Sequence, residues 1–126
     1  MESDIIKIQS IAKDIYKALG SGHPEVVYDK AMQVGLRLAG YKYDNQKVVE
    51  LTYKNHHVGE GYPDILVKSN KGRIVIELKA DGGQLGPAEE QQLRNYIKLL
   101  QAQRGLLINF QQPSKKGGTN LEIKEI

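Results

Sequence analysis

Ile5, Ile8, Ala12, Ile15, Tyr16 and Leu19 recur at helical spacing with lysines and acids between them, which predicts an amphipathic helix over 3–19. Gly20, Ser21 and Gly22 end it. Pro24 suits the first turn of a second helix, with Val27, Tyr28, Ala31, Met32, Val34 and Leu38 as its apolar positions and Gly40 as its C-terminal cap. Over 42–52 the pattern changes to Tyr, Val and Leu with polar interruptions, and it resumes over 58–67 and 73–78, predicting a three-stranded meander. The glycine-rich segment 81–87 leads into a third helix over 88–101, with Leu93, Tyr96, Ile97 and Leu100 on one stripe. Residues 105–110 form a buried fourth strand, 111–120 read as mobile, and 121–126 alternate like a short edge strand.

The predicted order is ααβββαβ, and a helical crossover into the fourth strand makes it parallel to a neighbour. This is an α/β fold with a mixed central sheet flanked by helices. At 126 residues, 40% of them hydrophobic, the chain has room for one core, so 1–126 reads as a single domain with 111–126 as a flexible tail carrying the edge strand. The absence of cysteine removes thiol catalysis, iron–sulfur clusters and zinc ribbons. No apolar run approaches the roughly 20 residues that span a bilayer, and the first ten residues lack a secretory pattern. An intracellular, cytoplasmic protein with no membrane partner is expected. The net charge of +3 and pI near 9.0 permit an anionic partner without requiring one.

The chemistry concentrates in the hairpin of residues 62–67 and 73–79. If its turn centres between Asn70 and Lys71, opposing residues sum to 141, so Val67 faces Ile74, Ile65 faces Ile76 and Asp64 faces Glu77. Cross-strand neighbours have Cβ atoms about 4.5 to 5.5 Å apart, where like charges repel unless something cationic sits between them. Lys79 points to the same face as Glu77. Leu66 and Val75 share that face, so the hairpin is apolar on both sides and central in the sheet. Two readings fit: a hard divalent cation held by oxygen ligands for phosphate chemistry, or an ion cluster in which Lys79 bridges the two acids.

Further residues bear on the choice. Glu25 lies on the helical stripe of Tyr28, Met32 and Leu36, facing the sheet, although an acid at a helix N-terminus is also favoured by the macrodipole. Gln92 and Tyr96 sit one turn apart beside the apolar stripe of the third helix, where, taken alone, a half-buried amide and a core tyrosine are the better reading. His56 and His57 are adjacent and point to opposite faces of a strand, a poor start for a zinc site. The glycines of 81–87 lack the lysine and hydroxyl of a phosphate-binding loop, and no serine sits in a nucleophile elbow. Lys115 to Gly118 could touch phosphates or simply be solvated.

Pro63-Asp64, followed after twelve residues by Glu77-Leu78-Lys79, resembles the signature of the PD-(D/E)XK nuclease superfamily. Gly22, Glu25 and Tyr28 resemble the Gly-x-x-Glu-x-x-Tyr motif of the GxxExxY protein family within it, as do the segments 77–80 and 105–110. Gln92 and Tyr96 are similar to the Gln-x-x-x-Tyr motif of exonuclease-type members. The resemblance covers about 5–110. It implies a restriction-endonuclease-like αβββαβ core and a Mg2+-dependent deoxyribonuclease, Mn2+ substituting, that hydrolyses DNA phosphodiester bonds by a metal-activated water. Asp64 and Glu77 would bind the metal, with the carbonyl of Leu78 as a further ligand and Glu25 completing the acidic cluster. Lys79 would orient the attacking water and stabilise charge on the phosphoryl oxygens, while Gln92 and Tyr96 would hold the metal site or the DNA backbone. The alternatives are a Holliday junction resolvase of the same superfamily, which brings a homodimer with it, and a non-catalytic nucleic-acid- or partner-binding module on the same fold.

Overall fold

A computed structural model describes residues 1–113 and 120–126. Two helices come first, α1 (Glu2–Leu19) and α2 (Glu25–Leu38), followed by strands β1 (Lys42–Asn45), β2 (Val49–Tyr53), β3 (His56–Gly61), β4 (Ile65–Ser69) and β5 (Gly72–Lys79). Helix α3 (Pro87–Leu99), β6 (Arg104–Phe110) and β7 (Leu121–Glu125) complete the chain. Five strands form one sheet in the order β1-β4-β5-β6-β7, with β5 and β6 parallel and the other neighbours antiparallel. The α/β class with a mixed, helix-flanked sheet is the one the sequence predicts.

Alternation along the strands assigns the two faces. Ile65, Val67, Ile74, Ile76, Leu78, Leu106, Ile108 and Phe110 join a core with the stripe Ile5, Ile8, Ala12 and Ile15 of α1 and with Tyr28, Met32 and Leu36 of α2. Leu66, Val75 and Leu107 face the other way, onto Leu93, Tyr96 and Leu100 at α3. Each fully buried aliphatic side chain of this kind contributes about 1.5 to 3 kcal/mol. Because Glu77 and Lys79 follow Val75 at the strand period of two, they point to the α3 side.

Three local expectations are corrected. Val34 and Leu38 are exposed, because the buried stripe of α2 runs through Tyr28, Met32 and Leu36 and leaves them round the far side. The three-stranded meander is four strands. The first predicted strand breaks after Asn45, where Gln46 takes a φ of 51°, and β2 turns away to pair only with β3. The second breaks at Tyr62 to Asp64, where Pro63 has no N–H to give a ladder. The β2–β3 hairpin closes through Lys54 and Asn55, both at positive φ, as the twist of a two-residue turn requires.

The third correction concerns only the first residues of the stretch predicted to be mobile, since 114–119 lie outside the described residues. Gln111 is buried and its carbonyl accepts the Tyr16 hydroxyl at 2.6 Å, while the Gln112 side chain accepts the Gly22 N–H at 2.6 Å. The edge strand is β7, antiparallel to β6. Lys115 to Gly118 lie outside the described residues.

Candidate functional site

The β4–β5 ladder pairs Ile65 with Ile76, Leu66 with Val75, Val67 with Ile74, Lys68 with Arg73 and Ser69 with Gly72, the register read from the turn. One step beyond Ile65 and Ile76 the main-chain ladder stops and side chains take over. The Asp64 N–H donates to Glu77 Oε1 at 3.0 Å, and the Leu78 N–H donates to Asp64 Oδ2 at 2.7 Å. No hydrogen bond among the described residues uses Asp64 Oδ1 or Glu77 Oε2. The two acids are therefore held side by side by the backbone, each with one oxygen to offer.

Glu77 is buried and Asp64 half-buried. Burial, and after it the charge of Asp64, push the Glu77 carboxyl up to about 8, against the pull of the Asp64 N–H and of Lys79. Burial also raises Asp64, with Asp29 adding to the rise and the Leu78 N–H and Lys79 opposing it. Glu25, at the rim, is raised by partial burial and then by Asp64, Asp81 and Asp29, with Lys79 again opposing. Negative charge is in excess. Lys79 forms no ion pair with any of these acids among the described residues, so it does not bridge Asp64 and Glu77 as a surface ion cluster would.

Glu25 opens α2 directly after Pro24, and the segment before it is fixed from the core. Tyr28 is fully buried, stacks on Phe110 with centroids 4.4 Å apart and planes 8° from parallel, and donates its hydroxyl to the Gly20 carbonyl at 2.6 Å. Gly22 adopts a φ of 98°, a region closed to most side chains. Within Gly22, Glu25 and Tyr28, the glycine and the tyrosine shape the approach and the glutamate faces the acids.

Two residues missed in the sequence reading also lie here. Asp29 is 8% exposed, and its Oδ1 accepts from Gln33 Nε2 at 2.6 Å and from Asn45 Nδ2 at 3.1 Å. Asn45 Nδ2 donates as well to the Asp64 carbonyl at 3.0 Å, which also accepts the Gln46 N–H at 2.9 Å. Glu25, Asp29, Asn45, Gln46 and Asp64 border a cleft of about 370 Å3. The one signal for Asp29 was an acid on the buried stripe of α2; the pairing with Asn45 had none. Asn109, fully buried in an apolar strand, was also missed; it accepts the Asp81 N–H and donates to the Gly83 carbonyl, both at 3.0 Å, fixing the loop after β5.

Gln92 and Tyr96 act at one remove from the acids. The Tyr96 hydroxyl accepts the Tyr62 N–H at 3.2 Å and Gln92 Nε2 reaches that hydroxyl at 3.5 Å, but neither side chain bonds to Asp64, Glu77 or Lys79 among the described residues. Tyr96 braces the chain entering Pro63-Asp64. A Cβ on Gly61 would lie 2.7 Å from its ring, so the contact needs a glycine.

Among the described residues no three His, Cys, Asp or Glu come together as a group that could hold a metal ion, so Glu25 is not gathered with Asp64 and Glu77 into the expected acidic cluster. The donor set nevertheless fits a hard divalent cation: Mg2+ takes one or two carboxylates and keeps several waters, and Asp64 Oδ1 and Glu77 Oε2 are two uncommitted carboxylate oxygens with too little positive charge around them. Among the described residues no helix is long and apolar enough to cross a membrane.

Residues 3–121 match the sequence model of the PD-(D/E)XK nuclease superfamily, a span that holds every residue of this site. Among solved structures, the crystal structure of SSO0001 superposes with a TM-score of 0.58 at 19% identity, over 81% of this chain and 49% of that one. The likeness is one of fold, and the chain spans about half the length of that structure. No curated protein matches the chain. The mixed sheet with its flanking helices is compatible with a restriction-endonuclease-like fold.

Proposed function

The chain belongs to the PD-(D/E)XK nuclease superfamily, and from that premise we propose that it is a metal-dependent deoxyribonuclease whose site is Asp64, Glu77 and Lys79 with Glu25 at the rim. The observation that carries this reading is the pair of hydrogen bonds that fasten Asp64 and Glu77 to each other's strands while leaving an oxygen of each uncommitted. A divalent cation, Mg2+ or in its place Mn2+, would be held by Asp64, Glu77 and the Leu78 carbonyl, with Glu25 reaching it directly or through water, and would supply Lewis-acid neutralisation of the charge that builds on the phosphate.

The chain's own groups do the rest. Lys79, two residues beyond Glu77 on the same face, donates to the attacking water and to the phosphoryl oxygens, so that one ammonium both orients the nucleophile and offsets charge. Water adds to phosphorus and releases one proton to solvent, the bond to the leaving sugar oxygen breaks, and that oxygen takes up one proton from solvent, so the exchange balances. Gln92 and Tyr96 keep the Tyr62 main chain in place and with it the head of β4. The arrangement of Gly22, Glu25 and Tyr28 supports membership of the GxxExxY group.

The test is a cleavage panel of closed circular, linear, single-stranded and four-way-junction DNA with Mg2+, Mn2+ or chelator, using the native protein and Glu77→Ala in parallel. Metal-dependent cutting that disappears in the variant is the expected result. Cutting that survives in Glu77→Ala overturns the site, and preference for the junction favours the resolvase alternative.

A further inference from the structure

We propose that Asn45 is a positioning residue of this site, tying the main chain of Asp64 to the buried carboxylate of Asp29 so that β4 and α2 present Asp64 and Glu25 in one frame. The inference rests on the nuclease reading above and adds to it a residue outside the signature.

Asn45 is the last residue of β1, opposite Ile65. Its amide has two N–H donors, and both are spent, one on Asp29 Oδ1 at 3.1 Å and one on the Asp64 carbonyl at 3.0 Å. The Gln46 N–H adds a second bond to that carbonyl at 2.9 Å. Asp64 is thus gripped twice: its carbonyl by the end of β1, its carboxylate by the Leu78 N–H of β5. Fixing the peptide plane after Asp64 fixes the direction in which its side chain leaves the backbone.

Asp29 supplies the other anchor. It is 8% exposed, its Oδ1 accepts from Gln33 as well, and it forms no ion pair among the described residues. A buried carboxylate without a cation costs stability, and an apolar residue of similar size would pack there more favourably. What the carboxylate does that an apolar residue could not is accept the Asn45 amide. Asp29 stands four residues after Glu25, about 6 Å along the helix axis, so the anchor that holds it also holds the first turn of α2.

Asn45 itself is exposed, so its truncation leaves the core intact. The experiment compares the native full chain with Asn45→Ala, Asp29→Ala and Asp29→Asn, measuring kcat and KM on plasmid DNA with Mn2+, Mn2+ binding to the DNA-free protein by calorimetry, and Tm. Asn45→Ala is expected to lose at least tenfold in kcat and several-fold in Mn2+ affinity, with KM within twofold and Tm nearly unchanged. Asp29→Ala should match it, and Asp29→Asn, which keeps an accepting oxygen, should recover most of the loss. A folded Asn45→Ala with native kcat and native Mn2+ affinity overturns the proposal. If the native protein cuts no DNA, the nuclease reading falls, and the Mn2+ titration still decides whether Asn45 orders Asp64; native affinity in Asn45→Ala then rejects that role as well.

Discussion

Asp64 and Glu77 hold each other in place: the N–H of Asp64 bonds to the Glu77 carboxylate at 3.0 Å, and the Asp64 carboxylate is held at 2.7 Å by the N–H of the residue after Glu77. Two acids are thereby fixed side by side in a half-covered place, where burial leaves their charges poorly screened. The geometry is a standing electrostatic cost, lowered by a proton or a cation.

That cost has a pH signature in the metal-free protein. The Glu77 carboxyl is pushed up to about 8, from an ordinary 4.5, chiefly by burial. Between those values the folded state holds a proton that the unfolded state has lost, so stability must fall as pH rises from about 4.5 to about 8. The slope is at most about 1.4 kcal/mol per pH unit for one such group. Asp64 and Glu25 are raised as well and add in the same sense. Urea denaturation at pH 5, 6.5 and 8 in chelator checks it: the native protein should weaken along the series, and Glu77→Gln should flatten the trend. A native protein equally stable at all three pH values would show that Glu77 does not carry this shift.

Lys79 opposes the rise of Glu77, Asp64 and Glu25 alike. Lys79→Met should therefore deepen the total fall in stability and carry it to higher pH. On the proposed chemistry it should also cut cleavage by about 10²- to 10³-fold, the usual cost of losing one donor to developing charge. Mn2+ affinity should be unchanged or tighter, since a competing positive charge has gone. Calorimetry and single-turnover cleavage on one preparation separate the effects; loss of Mn2+ binding together with activity would reassign Lys79 to holding the metal site.

How much of this was legible in the sequence depended on whether the partners were local. The register of β4 and β5 was readable because the apolar runs Ile65–Val67 and Ile74–Ile76 surround a short turn and leave one pairing that buries both. Helix α1 was readable for the same reason, its stripe being periodic. The breaks at Gln46 and Pro63 were missed although Pro63 argues against an unbroken strand through it. Val34 and Leu38 are apolar yet exposed, and pattern alone does not say which side of a helix the sheet lies on. The link from Asp29 to Asn45 joins residues sixteen apart in the chain through side-chain atoms alone, and no periodicity encodes it.

The brace on Pro63-Asp64 can be broken in two ways. Gly61→Ala places a methyl 2.7 Å from the Tyr96 ring and should cost about 1 to 3 kcal/mol, the usual penalty of overpacking. Tyr96→Phe keeps the ring, strands the Tyr62 N–H that bonded at 3.2 Å, and should cost about 1 kcal/mol. Both should lower cleavage more than their Tm shifts account for at a temperature where each is fully folded. Full activity in both variants would confine Tyr96 to the core.

The segment before α2 separates shape from chemistry. Tyr28→Phe keeps the stack on Phe110 but removes the 2.6 Å bond to the Gly20 carbonyl, and should cost about 1 kcal/mol. Gly22→Ala forces a side chain into a φ of 98°, at about 1 to 2 kcal/mol. Both should act on cleavage by displacing Glu25, so each should lose its effect in a Glu25→Gln background, where the carboxylate to be displaced is already gone. Double-mutant cycles on kcat test this: coupling near the full size of the single effects is expected, because residues serving one group are not additive. Additive losses would mean that Gly22 and Tyr28 influence the site by a route other than Glu25, and would leave the acid at the head of α2 without the supporting role its surroundings give it.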